Sequence, residues 1–234
     1  DEKWRLVWSI LNEPLEKRDL AGIDLSNTNL EKANLAGANL SGADLSAAIL
    51  HSANLNRANL SGANLSGVNL DNANLNSANL SGANLQGANL YSADLTGADL
   101  TGAHLNMVDF TNAKLDSTTR LEDKLRVVWS ILNEPLEKRD LAGIDLSNTD
   151  LYEANLAGAN LSGADLSGAN LKGAELYGAN LTHAKLRETV LEWADLSGAD
   201  LTGADLSLVN LNLINLREAN LENADLTGAN LANA

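Results

Sequence analysis

Leucine returns every fifth residue along most of this chain, and two positions before each leucine stands a small apolar residue, usually alanine. The stretch SGANLSGVNLDNANLNSANLSGANL, Ser61 to Leu85, shows the unit at its plainest. A period of five suits neither regular element. On an α-helix a step of five turns about 140°, so the leucines would scatter around the axis. On a flat strand side chains alternate, and an odd period would send successive leucines to opposite faces. Within one unit, however, Ala-x-Leu is a spacing of two, which puts both side chains on one face of a short extended segment. The pattern is satisfied throughout only if the chain turns after each leucine. Ala and Leu then always face inward, and the residue between them, usually Asn or Asp, faces out. Such a chain is a solenoid.

The two residues after each leucine form the corner. At every fourth corner the second position is glycine (Gly22, Gly42, Gly62, Gly82, Gly102), whereas a neighbouring series is mixed (Asn27, Ala47, Gly67, Gly87, Met107). This hidden period of twenty predicts four units per coil, a square cross-section, and a glycine corner whose dihedral only glycine adopts cheaply. The register holds for 20 units from Leu20 to Leu115, with Phe110 the one departure from leucine, and for 19 units from Leu141 to Leu231. Each half therefore has about five coils and, at about 4.8 Å per coil, a length of about 24 Å. Outward amides stacked at that spacing form hydrogen-bonded ladders, whereas stacked aspartates repel.

The unit A-[ND]-L-x-x, as in Ala38-Asn39-Leu40, Ala43-Asp44-Leu45 and Ala63-Asn64-Leu65, strongly resembles the pentapeptide-repeat family over about 80% of the chain. The resemblance implies an all-β solenoid, a right-handed quadrilateral β-helix. Some members of that family mimic DNA and bind type II topoisomerases such as gyrase, which confers quinolone resistance. They use particular loops and a dimer contact through their C-terminal ends.

The segment WSILNEPLEKRDLAGIDLSNT occurs at 8–28 and again, unchanged, at 129–149. The chain is a tandem duplication, and a natural origin and a constructed, consensus-like one both remain open. Each copy opens on a helical stripe: Trp4, Val7, Trp8 and Leu11, then Leu125, Val128, Trp129 and Leu132. Thr119 and Glu122 have capping-box spacing, and Pro14 and Pro135 are expected to stop the helices. A solenoid end exposes core side chains and unpaired backbone, so these helices are expected to be lids over the first coil of each half, with Trp129 largely buried there. The segment DSTTRLED, 116–123, breaks the leucine register. The expected organisation is a capping helix and turn at 1–18, a first β-helix at 19–117, a linker and second capping helix at 118–139, and a second β-helix at 140–234.

Chemistry is sparse. The chain has no cysteine, hence no disulfide or thiolate, and no apolar run long enough for a membrane span. With no signal-peptide core at its start, it is expected to be cytoplasmic. His51 and His183 fall at corners and His104 replaces an outward Asn; all three are expected to be exposed. Gly158, Gly163 and Gly168 imitate a nucleotide loop without its GK[ST]. The glycosylation pattern at Asn39-Leu40-Ser41 is a by-product of the repeat. No catalytic, cofactor or metal site is expected. Asp145, Asp165, Asp205 and Asp225, with Lys185 among them, form an acidic stripe along one side of the second half, and a solvated face is its default reading.

Net charge is −15, which argues against direct nucleic-acid binding. Residues 1–121 carry −5 and residues 122–234 carry −10. A DNA mimic about 24 Å long should carry about 14 charges, so the second half is a fair electrostatic copy and the first a poor one. No loop interrupts the coils. A non-enzymatic structural or protein-interaction scaffold is therefore the primary reading, with a gyrase-binding DNA mimic as the alternative. Trp193, Leu208 and Leu213 fall at corners that elsewhere hold Gly, Ser, Asn or charge, and make a candidate interaction patch. The C-terminal coils, through Leu226 and Leu231, are a candidate end contact for a homodimer.

Overall fold

The computed structural model describes residues 2–13, 18–134 and 139–232, which fall into two compact units, Asp1–Trp129 and Ser130–Ala234. The outward residue of each five-residue side pairs in parallel with the outward residue twenty positions on. In the first unit one such series is Asp19, Asn39, Asn59, Asn79 and Asp99; in the second, Asp140, Asn160, Asn180, Asp200 and Asn220. Four sides of five residues therefore make one coil. Each side contributes a single bridged residue, too little for a strand of ordinary length.

Every backbone donor of the unit has a partner. In Ala58–Gly62, the Ala58 N–H closes the corner onto the Leu55 carbonyl (2.9 Å). The Asn59 N–H reaches back to Ala38 (2.9 Å), while the N–H groups of Leu60 and Gly62 reach forward to Asn79 (2.7 Å) and Ser81 (2.9 Å). The remaining donor, Ser61 N–H, has no backbone acceptor and bonds instead to Asn59 Oδ1 at 3.2 Å. The Asn or Asp of the repeat is thus the acceptor that the backbone lacks.

Inside the coils, Leu25 to Leu95 of the repeat are at most 1% exposed and their alanines at most 2%. Where threonine replaces alanine, its hydroxyl is satisfied at once: Thr28 Oγ1 donates to the Leu25 carbonyl (2.6 Å) and Thr189 Oγ1 to that of Leu166 (2.9 Å). All eighteen glycines have φ between 62° and 72°, as expected for the left-handed region, but that conformation is not confined to one glycine corner. It recurs at the second corner position of every series, in Asn27, Ala47, Arg57 and Trp193 among others, because every corner is the same turn.

The segment 116–123 does not simply break the register. One unit takes a sixth residue, at its corner, and the ladder then runs on: Asp99 pairs with Arg120, and the Leu100 N–H reaches the Arg120 carbonyl at 2.9 Å. Asp116 holds this longer corner. Its Oδ1 accepts from the N–H groups of Thr118 (2.9 Å), Thr119 (2.9 Å) and Gly97 (3.2 Å), the last standing in for a ladder bond. Thr119 is buried in the alanine position and donates to the Leu95 carbonyl, so it does not cap a helix.

Two helices are present, α1 (Glu2–Asn12) and α2 (Asp123–Asn133). The buried side of α1 is Val7 and Ile10, with Lys3 Nζ bonded to Asp24 (3.0 Å) and Ser26 (3.3 Å). This corrects the expected stripe, since Trp4, Trp8 and Leu11 are 56%, 60% and 45% exposed. The helix has two apolar stripes sharing Val7, and the compact one, with branched Val7 and Ile10, is the one that packs. Trp129 is half-buried, and its indole N–H donates to the Ala113 carbonyl at the end of the first unit (2.6 Å). The expected stops at Pro14 and Pro135 lie outside the described residues.

Candidate interaction surface

With the core closed and the backbone saturated, chemistry is left to the corners and the outward ladders. Trp193, Leu208 and Leu213 are 60%, 52% and 54% exposed. Each occupies a left-handed corner position, with φ of 62°, 62° and 61°. Large side chains are uncommon there, at a strain of about 1–2 kcal/mol relative to the right-handed conformation. Trp193 and Leu213 stand on the same corner of successive coils. Leu208 stands one corner earlier and leans over Gly228, where an added Cβ would lie 2.8 Å from its Cδ2.

Two members of this surface escape sequence reasoning. Lys172 places its Nζ 4.5 Å from the centre of the Trp193 ring and 3.6 Å from the Glu192 carboxylate. A cation over an aromatic face contributes about 0.5–1 kcal/mol at an exposed site. Val190, 41% exposed, replaces the outward amide on the side leading into the same corner. Once the period is known, the signal for both is in the sequence: Lys172 lies twenty-one residues before Trp193, diagonally across one coil.

Asp145, Asp165, Lys185, Asp205 and Asp225 form one continuous bridged series. Lys185 Nζ lies 3.2 Å from Asp165 Oδ2 and divides the stripe. Burial pushes the Asp165 carboxyl up, but hydrogen bonds from Ser167 and Lys185 outweigh it and leave the group below its usual range. The Thr227 hydroxyl and N–H lower Asp225 in the same way. Among the described residues, no three carboxylate or imidazole groups converge as metal ligands. At the end of the second unit, Leu226 is half-buried and Leu231 is 44% exposed.

One arrangement resembles a catalytic triad. His51 is half-buried, not exposed, and its Nδ1 lies 3.0 Å from Asp71 Oδ2 while its Nε2 lies 3.1 Å from Ser52 Oγ. Acyl transfer also needs donors aimed at a developing oxyanion. Here the Ser52 N–H is bonded to the Asp71 carbonyl (2.8 Å) and the Ala53 N–H to Leu50 (2.9 Å), so the nearest backbone donors are already engaged. A recess of about 410 Å³ lies elsewhere, among Thr101, Gly102, Thr119 to Asp123 and Arg126. His104 and His183 are exposed. No helix among the described residues is long and apolar enough to cross a membrane.

A four-sided β-solenoid with a saturated backbone and its variation confined to corners is a pentapeptide-repeat architecture. A family model for pentapeptide repeats matches residues 19–51, 53–90, 93–119, 140–173, 174–212 and 214–234. The chain belongs to the pentapeptide-repeat family, whose fold is the right-handed quadrilateral β-helix. Among solved structures it is similar to HetL of the cyanobacterium Nostoc sp. strain PCC 7120, a protein involved in heterocyst differentiation regulation. Identity is 30%, coverage is 98% of this chain and 95% of that one, and the TM-score is 0.46. A pentapeptide-repeat protein of the Arabidopsis thaliana thylakoid lumen is 31% identical over 49% of this chain and 76% of its own, with a TM-score of 0.43. The plasmid-mediated fluoroquinolone resistance protein QnrB1 is 18% identical over 91% of each chain, with a TM-score of 0.28. Comparison with curated proteins finds no match.

Proposed function

We propose that this chain is a non-enzymatic scaffold: two stacks of about five coils, each with a helix as a lid, presenting rigid faces to a protein partner. The observation that carries this reading is the cluster of Trp193, Leu208 and Leu213, held in water at corner positions that glycine fills at lower energy. Exposed apolar groups clustered on a rigid surface are the usual mark of a contact site. A parent chain and a Trp193→Ser, Leu208→Ser, Leu213→Ser triple variant, matched in melting temperature, would be compared by quantitative co-precipitation. Loss of a specific bound protein supports the reading; the same proteins recovered by both chains overturns the patch as the contact.

The charge of the second half favours a second reading, a DNA-mimicking ligand of a type II topoisomerase. Its test is inhibition of gyrase supercoiling by the purified chain, weakening steeply as salt rises. No effect at low salt removes it.

A further inference from the structure

We propose that Ser52 is a nucleophile, activated by His51 and Asp71, that accepts one acyl group from an activated carboxylic ester. This goes beyond the scaffold reading and stands without it, since a single acylation is not turnover.

Successive coils bring the groups together at one corner: Glu31 and Lys32, then His51 and Ser52, then Asp71 and Asn72. Ladder bonds fix their spacing. The Lys32 N–H donates to the His51 carbonyl at 2.9 Å, and the Ser52 N–H to the Asp71 carbonyl at 2.8 Å. The side chains then form a relay. Asp71 is held at both oxygens, with the Asn72 amide donating to Oδ1 and His51 Nδ1 lying 3.0 Å from Oδ2. A carboxylate can only accept, so the Nδ1 proton points at Asp71. That tautomer leaves the Nε2 lone pair for the Ser52 hydroxyl, 3.1 Å away. A base oriented by a carboxylate and bonded to a hydroxyl is the arrangement that activates a serine. Ser52 is only half-buried, so the corner is open to a reagent from solvent.

The engaged backbone donors around Ser52 decide which acyl donors fit. With no free N–H pair, the group left for a developing oxyanion is the Lys32 ammonium, exposed at the same corner position one coil before Ser52. It pairs with Glu31 at 2.8 Å, and that carboxylate raises the Lys32 pKa and keeps the charge. An exposed pair of this kind is weak enough to open. One mobile ammonium stabilises an oxyanion less than a fixed pair of N–H groups does. Acylation therefore needs a leaving group that departs as a stable anion, such as an aryl oxide. In that step Ser52 Oγ bonds the acyl carbon, its proton passes to His51 Nε2, and the bond to the leaving oxygen breaks with its electron pair. The imidazolium then gives the proton to solvent. Hydrolysis of the acyl group would have to expel the serine alkoxide, a far poorer leaving group, so the reaction stops after one equivalent. The second unit lacks the relay, since the same corner there holds Lys172, Gly173 and Glu192.

p-Nitrophenyl acetate is the probe. Release of p-nitrophenolate by the full chain is followed with time, and the acetyl group is located by peptide mass spectrometry. The parent is expected to release one equivalent in a burst and to carry the acetyl group on Ser52. Ser52→Ala is expected to abolish the burst, and His51→Ala to slow it by about 100-fold, the low end for a general base. Both variants are expected to fold, because Ala47 and Ala36 already occupy the equivalent corner positions. A melting temperature equal to the parent's checks this, and the site of labelling in the parent is read independently of either variant. Asp71 acts through His51 as a positioning residue. Asp71→Asn is expected to slow the burst and to move the ring-nitrogen resonances of His51 away from the Nδ1-protonated tautomer. Acetyl groups on lysine with Ser52 unmodified overturn the proposal. So does a burst that survives in Ser52→Ala, which would make the imidazole itself the nucleophile. Labelling of Ser52 no faster than that of the other corner serines has the same consequence.

Discussion

Asn59 makes three hydrogen bonds from one short side chain. Its Oδ1 accepts the Ser61 N–H and the Asn79 amide, each at 3.2 Å, and its Nδ2 donates to Asn39 at 3.2 Å. The stacking half of this role is legible in a period of twenty. The capping half is not, because it depends on which of the five backbone donors lacks a partner, a question only the hydrogen-bond pattern answers. Asn59→Leu is expected to lower stability by about 1–3 kcal/mol by leaving the Ser61 N–H unpaired. Asn59→Asp, which keeps the acceptor, is expected to lose less; urea unfolding of the two variants separates the contributions. Where the residue is aspartate, the same geometry lowers its pKa. The Ser26 hydroxyl, the Lys3 ammonium and the Ser26 N–H hold Asp24 at about 2. The Thr118 hydroxyl and neighbouring N–H groups hold Asp116 at about 2, against burial. A carboxylate depressed in the folded state stabilises it above the unfolded pKa and loses that contribution as pH falls through the folded one. Stability is therefore expected to decline as pH falls through 3.8 toward about 2. Thermal melts across that range check this, and a chain that melts at the same temperature at both ends contradicts it.

The elements show where sequence and structure part. The coil follows from a strict pattern with a single solution, and its inward leucines are where the period puts them. An eleven-residue helix with two overlapping apolar stripes has two solutions, and the weight of two tryptophans points to the wrong one for α1. The six-residue unit is hidden for a different reason. Thr119 and Leu121 continue the Ala-x-Leu spacing, but the extra residue is accommodated by the Asp116 side chain, whose role no period announces. Trp8 and Trp129 test how far identical residues differ by surroundings. Trp129→Phe keeps most of the ring and removes the donor to Ala113, so it is expected to lower stability by about 1 kcal/mol. Trp8→Phe, on an exposed face, is expected to change stability by less than about 0.5 kcal/mol. Equal effects in chemical denaturation would contradict the assignment of the two faces.

For the whole molecule, the repeat dictates that each coil touches only the coils above and below, so stability sums from local contacts within each unit. The same rule explains why the candidate surface was partly legible. A corner residue is free to vary without disturbing the core, so Trp193, Leu208 and Leu213 stand out against the repeat. Lys172 and Val190 become visible only when neighbouring coils are laid side by side. It also sets the reach of a core lesion. Leu65 is fully buried in the first unit, with Leu45 and Leu85 on the same side of the neighbouring coils. Leu65→Asp removes a packed side chain, at about 2–5 kcal/mol, and leaves a carboxyl in an apolar shaft with no partner, which adds several kcal/mol or forces it to stay protonated. The sum is comparable with the whole stability of an ordinary domain, about 5–15 kcal/mol. The first unit is therefore expected to unfold at room temperature, while the second is expected to keep its hydrogen-exchange protection across 140–232. Native protection of the first unit in Leu65→Asp would contradict the inward assignment. Loss of protection in both units together would show that the coils fold as one cooperative block rather than as a sum of local contacts.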